Sequence, residues 1–162
     1  MRVIKMLGVA WRALFARTSF HGIIIGRGEI PSVFEGTVAK MGLTGTSDVE
    51  EKKFNDVVRT HSDVVIVTTA LDNNALIYFF ADHNKGVMAL VTSSGNFVAH
   101  GAIMANEYIE TREGERKVVI GGARGVFRHL ATGDRVRIEL RGGINRSAIL
   151  EKINSPQHPV AC

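Results

Sequence analysis

The chain has 162 residues, 45% of them hydrophobic, which is enough for one domain with a real core. Seventeen glycines against three prolines indicate a folded chain rich in tight turns and exclude a disordered one. The only cysteine, Cys162, allows no internal disulfide and no cysteine-based metal site, so a reducing compartment is expected. No uncharged apolar run approaches the roughly 20 residues of a membrane-spanning helix. The net charge of +4 is unevenly spread. Residues 1–28 hold five basic groups and no acid, residues 29–111 five basic and eleven acidic, and residues 112–162 ten basic and five acidic. Basic ends around an acidic middle suit a polyanionic partner near the C-terminal third.

Residues 1–20 are amphipathic. On a helical wheel Val3, Ile4, Leu7, Trp11, Leu14 and Phe15 share one face, and Arg2, Lys5, Arg12 and Arg17 the other. With no acid before Glu29, this is the composition of a mitochondrial presequence; Arg12 interrupts any secretory apolar core. The alternative is a basic amphipathic helix that docks on a partner or a membrane surface.

The domain proper is expected over residues 21–153. His21-Gly22-Ile23-Ile24-Ile25-Gly26 reads as a short buried strand, Pro31 and Gly36 bound a loop, and residues 37–44 form another strand. Ser47-Asp48-Val49-Glu50 is a capping box opening a helix to about Arg59, with Val49, Phe54, Val57 and Val58 inward. Four strands are expected next, over residues 64–69, 75–81, 86–92 and 96–105. Their separators, Asp72-Asn73-Asn74, His83-Asn84-Lys85-Gly86 and Ser93-Ser94-Gly95-Asn96, are turn chemistry. Such even spacing predicts a meander closing into a barrel or sandwich.

Residues 113–141 carry the most explicit pattern. A strand (Val118, Val119, Ile120) meets two glycines, and a short helical segment follows with Val126, Phe127 and Leu130. Gly133-Asp134 stops it, and Arg135-Val136-Arg137-Ile138-Glu139-Leu140 alternates strictly. Gly142 and Gly143 turn the chain into a last short strand from Arg146 to Leu150, and residues 154–162, with Pro156 and Pro159, form a loose tail. The whole predicts a small barrel with one helix plugging an end.

Six histidines (His21, His61, His83, His100, His129, His158) show no ligand spacing for a metal, and no nucleophile elbow G-x-S-x-G occurs. His100 is expected as a hydrogen-bonded residue on a barrel wall beside Val98, Ala99 and Ala102. Gly121-Gly122-Ala123-Arg124-Gly125 lacks the phosphate-loop spacing, so these glycines serve to bend a strand into a helix. Asn145-Arg146-Ser147 is a glycosylation sequon that matters only in a secreted chain. Arg135 and Arg137 leave one strand face; Arg141 and Arg146 extend that face along a hairpin, and Arg124 and Arg128 stand on the preceding helix. Such a stripe tracks a phosphate backbone, or else forms the solvated outside of a barrel.

Gly114-Glu115, Val118-Val119-Ile120, Gly122, Leu130-Ala131-Thr132-Gly133-Asp134 and Val136-Arg137-Ile138-Glu139 resemble the C-terminal half of single-stranded-DNA-binding proteins of the bacterial and mitochondrial OB-fold type. In that pattern a charged hairpin from Glu107 ends at Gly114-Glu115. The RNA-editing accessory proteins of trypanosome mitochondria look like divergent members of the same group. The resemblance covers about a fifth of the chain. Glu115 stands near that family's stacking Trp and Gly121 near its Phe, so Phe97 and Tyr108 are the substitutes for base stacking. A second resemblance is to the barrel of allene oxide cyclases and dirigent proteins. It rests on Gly95-Asn96-Phe97-Val98-Ala99-His100-Gly101, Gly121-Gly122-Ala123-Arg124-Gly125-Val126-Phe127 and Ala131-Thr132-Gly133, with one extra residue in the middle piece. It implies a closed barrel around an apolar ligand.

The expectation is a mainly β, small closed or partly open barrel of OB-like type, with one or two short helices and an N-terminal amphipathic helix. Its expected function is single-stranded RNA or DNA binding, without catalysis, metal or cofactor, beside other protein subunits or further copies of itself. The expected location is mitochondrial, otherwise cytoplasmic. The residues assigned to nucleic-acid contact are Arg116, Lys117, Arg124, Arg128, Arg135, Arg137, Arg141, Arg146, Phe97 and Tyr108. The alternatives are an apolar-ligand barrel and a structural subunit docked by its N-terminal helix.

Overall fold

A computed structural model describes residues 18–42, 47–81, 83–94, 99–144 and 146–153. The expected presequence or docking helix, up to residue 17, and the tail from residue 154 lie outside the described residues. Among the described residues seven strands form one sheet: β1 (Ser19–Arg27), β2 (Val33–Lys40), β3 (Val64–Thr68), β4 (Val87–Thr92), β5 (Val118–Gly121), β6 (Arg135–Arg141) and β7 (Ser147–Ile153). In the order β1-β5-β4-β3-β2-β6-β7 they close into a barrel, with β7 pairing back onto β1. Among the described residues four helices accompany them: α1 (Asp48–Thr60), α2 (Asn73–Phe80), α3 (Ala99–Thr111) and α4 (Val126–His129). The protein is a small, closed, mainly β barrel, as expected, but it carries more helix than the one or two short ones expected. Strands β2 to β5 run parallel, unlike the five-stranded Greek key of the OB type.

Two of the expected strands are helices. Residues 75–81 belong to α2, because Asp72 caps it: its Oδ1 accepts the Ala75 N–H at 2.8 Å. The Asp-Asn-Asn cluster marks a helix start and not a hairpin turn. From Ala99 on, the expected strand over 96–105 is α3, and residues 96–98 lie outside the described residues. Gly101, Ala105 and Ile109 are all buried, which is a spacing of four residues and a single helix face. The charged hairpin expected from Glu107 is the end of this helix. With α2 and α3 as crossovers, β3, β4 and β5 become neighbours in parallel, so the expected meander is replaced by a β-α-β-α-β run.

Other elements form as read. Ser47 Oγ accepts the Glu50 N–H at 3.3 Å to start α1. Phe54 is its buried residue, while Val49, expected inward, is 63% exposed. Glu50 faces Lys53 at 3.4 Å instead of reaching back to the cap. The first strand begins two residues earlier than expected, and Phe20 is 1% exposed inside the barrel.

The core has two compartments. Phe20, Ile24, Phe34, Val65, Val91, Ile120, Ile138 and Leu150 fill the lumen. Phe54, Ile66, Leu76, Phe79, Leu90, Ala105, Ile109 and Val119 pack the outer side of β3 to β5 against the helices. Those three strands are therefore buried on both faces and read as unbroken apolar runs, whereas β6 alternates. Helix α4 plugs one end of the lumen with Val126 and Leu130, as expected. Ile30 joins the lumen from the β1–β2 turn.

That turn is held by Gly28, whose N–H donates to the Lys117 carbonyl at 2.8 Å. A Cβ on Gly28 would lie 2.0 Å from the Glu115 carbonyl oxygen, so only glycine lets the two backbones approach. Gly28→Ala should lower unfolding stability by about 2 kcal/mol or more, read as a drop in the urea midpoint with unchanged slope.

Candidate functional site

Three regions carry the polar residues that the sequence singles out. The first is the outer face of β6. Val136, Ile138 and Leu140 point into the barrel and the arginines point out, as the alternation requires. Register sets acids among them: Arg137 lies between Glu35 on β2 and Glu151 on β7. Arg135 donates to Asp63 and, at 2.9 Å, to Thr37 Oγ1, and it approaches Glu35 at 3.5 Å. The hydrogen bond that Arg135 donates to Asp63 is the main cause of a guanidinium pKa raised above its ordinary value. Arg141 pairs with Glu139 at 3.2 Å. The face is a mixed-charge surface in which each of these arginines has a carboxylate beside it, not a continuous cationic stripe. Arg146 is exposed just before β7, with its carbonyl accepting the Ile24 N–H at 2.9 Å.

The second region is the C-terminal edge of the parallel strands. Thr68 and Thr92 are buried there. Ser93 and Ser94 donate their N–H groups to the carbonyls of Thr68 (3.1 Å) and Thr69 (2.9 Å), and Gly122 N–H reaches the Ser94 carbonyl at 3.1 Å. These bonds tie the ends of β3, β4 and β5 together. Thr69 Oγ1 is shielded from solvent without a hydrogen-bond partner. Gly122 and Gly125 hold φ values of +68° and +84°, so they turn the chain from β5 into α4 as the glycine pattern predicts. Arg124 and Arg128 are exposed here, at the opposite end of β5 from Arg116 and Lys117. His100 is the second residue of α3 and not part of a barrel wall. Phe97 lies outside the described residues.

The third region lies at the N-terminal end of β4 and β5. Phe80, Lys85, Arg112, Glu115, Arg116 and Lys117 line an open cleft of about 350 Å³. Among the described residues its lining holds four basic side chains and one acidic one. An aromatic stack forms one flank. The Phe80 and Tyr108 ring centroids are 3.8 Å apart, and the Arg112 guanidinium lies 4.0 Å above the Tyr108 ring. Tyr108 Oη donates to the Phe80 carbonyl at 3.1 Å, which locks α3 to the end of α2. Arg116 and Tyr108 thus come together as nucleic-acid candidates, joined by three groups that the sequence did not single out: Phe80, Lys85 and Arg112. Arg112 follows Tyr108 by four residues, a signal legible only once residues 99–111 are known to be helical.

Lys117 is not the surface cation expected. It is 6% exposed. Its Nζ donates to the carbonyl oxygens of Val87 at 2.7 Å and Asn84 at 3.3 Å, and sits 4.7 Å from the Phe79 ring centroid. Asn84 in turn donates from Nδ2 to the Tyr78 carbonyl at 2.8 Å. Burial pushes the Lys117 ammonium down to about 8 from an ordinary 10.5, against the opposing pull of Glu115. Among the described residues no group of three or more His, Cys, Asp or Glu side chains is placed to hold a metal, and no helix is long and apolar enough to cross a membrane.

No family model and no curated protein matches the chain.

Below pH 8 Lys117 is charged in both the folded and the unfolded chain, so the cost of burying the ammonium is fully present. Between about 8 and 10.5 the folded chain releases the proton while the unfolded chain keeps it, and stability rises with pH. Urea unfolding from pH 7.5 to 10 should show this rise, about 2–3 kcal/mol. In Lys117→Met the same pH series should lack it.

Proposed function

We propose that this protein binds a single-stranded nucleic acid, and that the strand's contact is the basic cleft at the N-terminal end of β4 and β5. One observation carries the reading: among the described residues three exposed basic side chains, Lys85, Arg112 and Arg116, and one acid, Glu115, surround a cleft flanked by the stacked Phe80, Tyr108 and Arg112. Cations draw the phosphates, and an exposed aromatic or guanidinium plane accepts a base whatever its identity. The volume, about 350 Å³, suits one or two nucleotides and not a long track. Arg137 and Arg141, flanked by acids, contribute little on this reading. An apolar-ligand barrel asks for an open lumen, and side chains fill this one.

Fluorescence anisotropy of labelled oligo-dT and oligo-U on the full chain, across a salt series, tests the proposal. Binding should weaken linearly in log–log salt, and Lys85→Ala with Arg116→Ala should flatten the slope by about 1.4. Arg137→Ala with Arg141→Ala should leave affinity within about twofold, since exposed paired charges contribute little. The reverse ranking, or no binding at low salt, would overturn the cleft as the contact.

A further inference from the structure

Lys117 has a feature that anion binding does not use. Most cations of the cleft are exposed, as binding phosphate requires, whereas Lys117 is withdrawn into the wall between Phe79 and the carbonyls of Asn84 and Val87. Among the described residues the Nζ group has two carbonyl acceptors, with the Phe79 ring beside them. The neutral amine can satisfy both acceptors. Two N–H groups keep the bonds to Asn84 and Val87, and the lone pair is left over. Lysines become nucleophiles where desolvation favours the amine, and that condition is met here.

We infer that Lys117 is a nucleophilic amine whose ligands are aldehydes or ketones bearing a phosphate or carboxylate, held by Lys85, Arg112 and Arg116. The Nζ lone pair adds to the carbonyl carbon, and the carbonyl π electrons go to oxygen, which takes a proton. The resulting carbinolamine loses its hydroxyl as water while nitrogen gives up a proton, leaving a C=N bond. One amine and one carbonyl compound thus become one imine and one water, with no oxidant or reductant. Among the described residues the facing charges are Glu115 and Arg116 on the approach to β5, Lys85 before β4 and Arg112 at the end of α3. Burial lowers the ammonium to about 8, so the reactive amine is populated near neutral pH.

The inference uses the cleft as an anion site but goes beyond the nucleic-acid reading, and the two fail separately. Pyridoxal 5′-phosphate, which carries both an aldehyde and a phosphate, is the probe. The full chain is incubated with it at substoichiometric concentration from pH 6.5 to 9, reduced with borohydride and mapped by peptide mass spectrometry. The phosphopyridoxyl group should lie on Lys117 at least tenfold more than on the exposed Lys52 and Lys53. Its yield should rise through pH 8 and then level, while that of exposed lysines goes on climbing. Arg116→Ala, which leaves Lys117 and its bonds in place, should cut Lys117 labelling several-fold without changing the other sites. Label spread over exposed lysines, or Lys117 unlabelled at every pH, overturns the inference even where oligonucleotides bind. Labelling at Lys117 unaffected by Arg116→Ala overturns the anion requirement.

Discussion

Strands β3, β4 and β5 have apolar residues on both faces, and the rest of the fold answers to that. A strand with one polar face can leave it in water, but here Val65 and Val67 face the lumen while Val64 and Ile66 face outward, all without exposure. Two cores are therefore obligatory. The closing strands β6, β7 and β1 complete the lumen, and helices cover the outside of β3 to β5. Parallel pairing follows from the same constraint, because each connection long enough to cross the sheet is also the helix that covers it. Antiparallel β6 needs no such cover and alternates, with charge outward.

Closing the two ends of the lumen produces the two candidate sites. At the C-terminal end of the parallel strands, the glycine turn after β5 tips α4 inward, so that Val126 and Leu130 seal the barrel. Gly133 and Asp134 then bind the chain to Val38 on β2 before β6 starts. At the other end, the β1–β2 turn lies against residues 115–117, close enough that Gly28 admits no side chain. The contact pins the backbone on either side of Arg116, and Lys117 pins the neighbouring residues 84 and 87 from within. The basic cleft is thus bounded by segments whose backbones are fixed by hydrogen bonds. Its cations stand around a shaped space, where those of β6 are each matched to an acid.

Charge illustrates how far composition carries an argument. The C-terminal third is basic by ten groups to five, and a strand with arginines at alternate positions looks like a phosphate track. The neighbours in the sheet come from elsewhere in the chain: Glu35 lies about a hundred residues before Arg137, and Asp63 about seventy before Arg135. The acidic middle of the sequence is folded onto the basic end, and net charge by segment says nothing about which residues become partners.

The sequence by itself determined the features that rest on neighbours within a few residues. Periodicity of two marked β6, Ser47 and Glu50 marked the start of α1, glycines at positive φ marked the α4 turn, and apolar runs marked β3, β4 and β5. It also determined that a small, mainly β barrel would hold the core, and the pairing of β7 with β1 decided that the barrel is closed. Residues 75–81 and 99–105 misled because short apolar stretches suit a buried strand and a buried helix face equally; Asp72, read as turn chemistry, was the cap that decides the first. Only the tertiary structure decided that the strands between are parallel, that the arginines of β6 meet acids, and that Phe80, Lys85, Arg112 and Arg116 surround one cleft. It also decided that Lys117 is buried. Those outcomes depend on contacts between residues some thirty to a hundred positions apart, set by the closure of the barrel, and no local spacing encodes them.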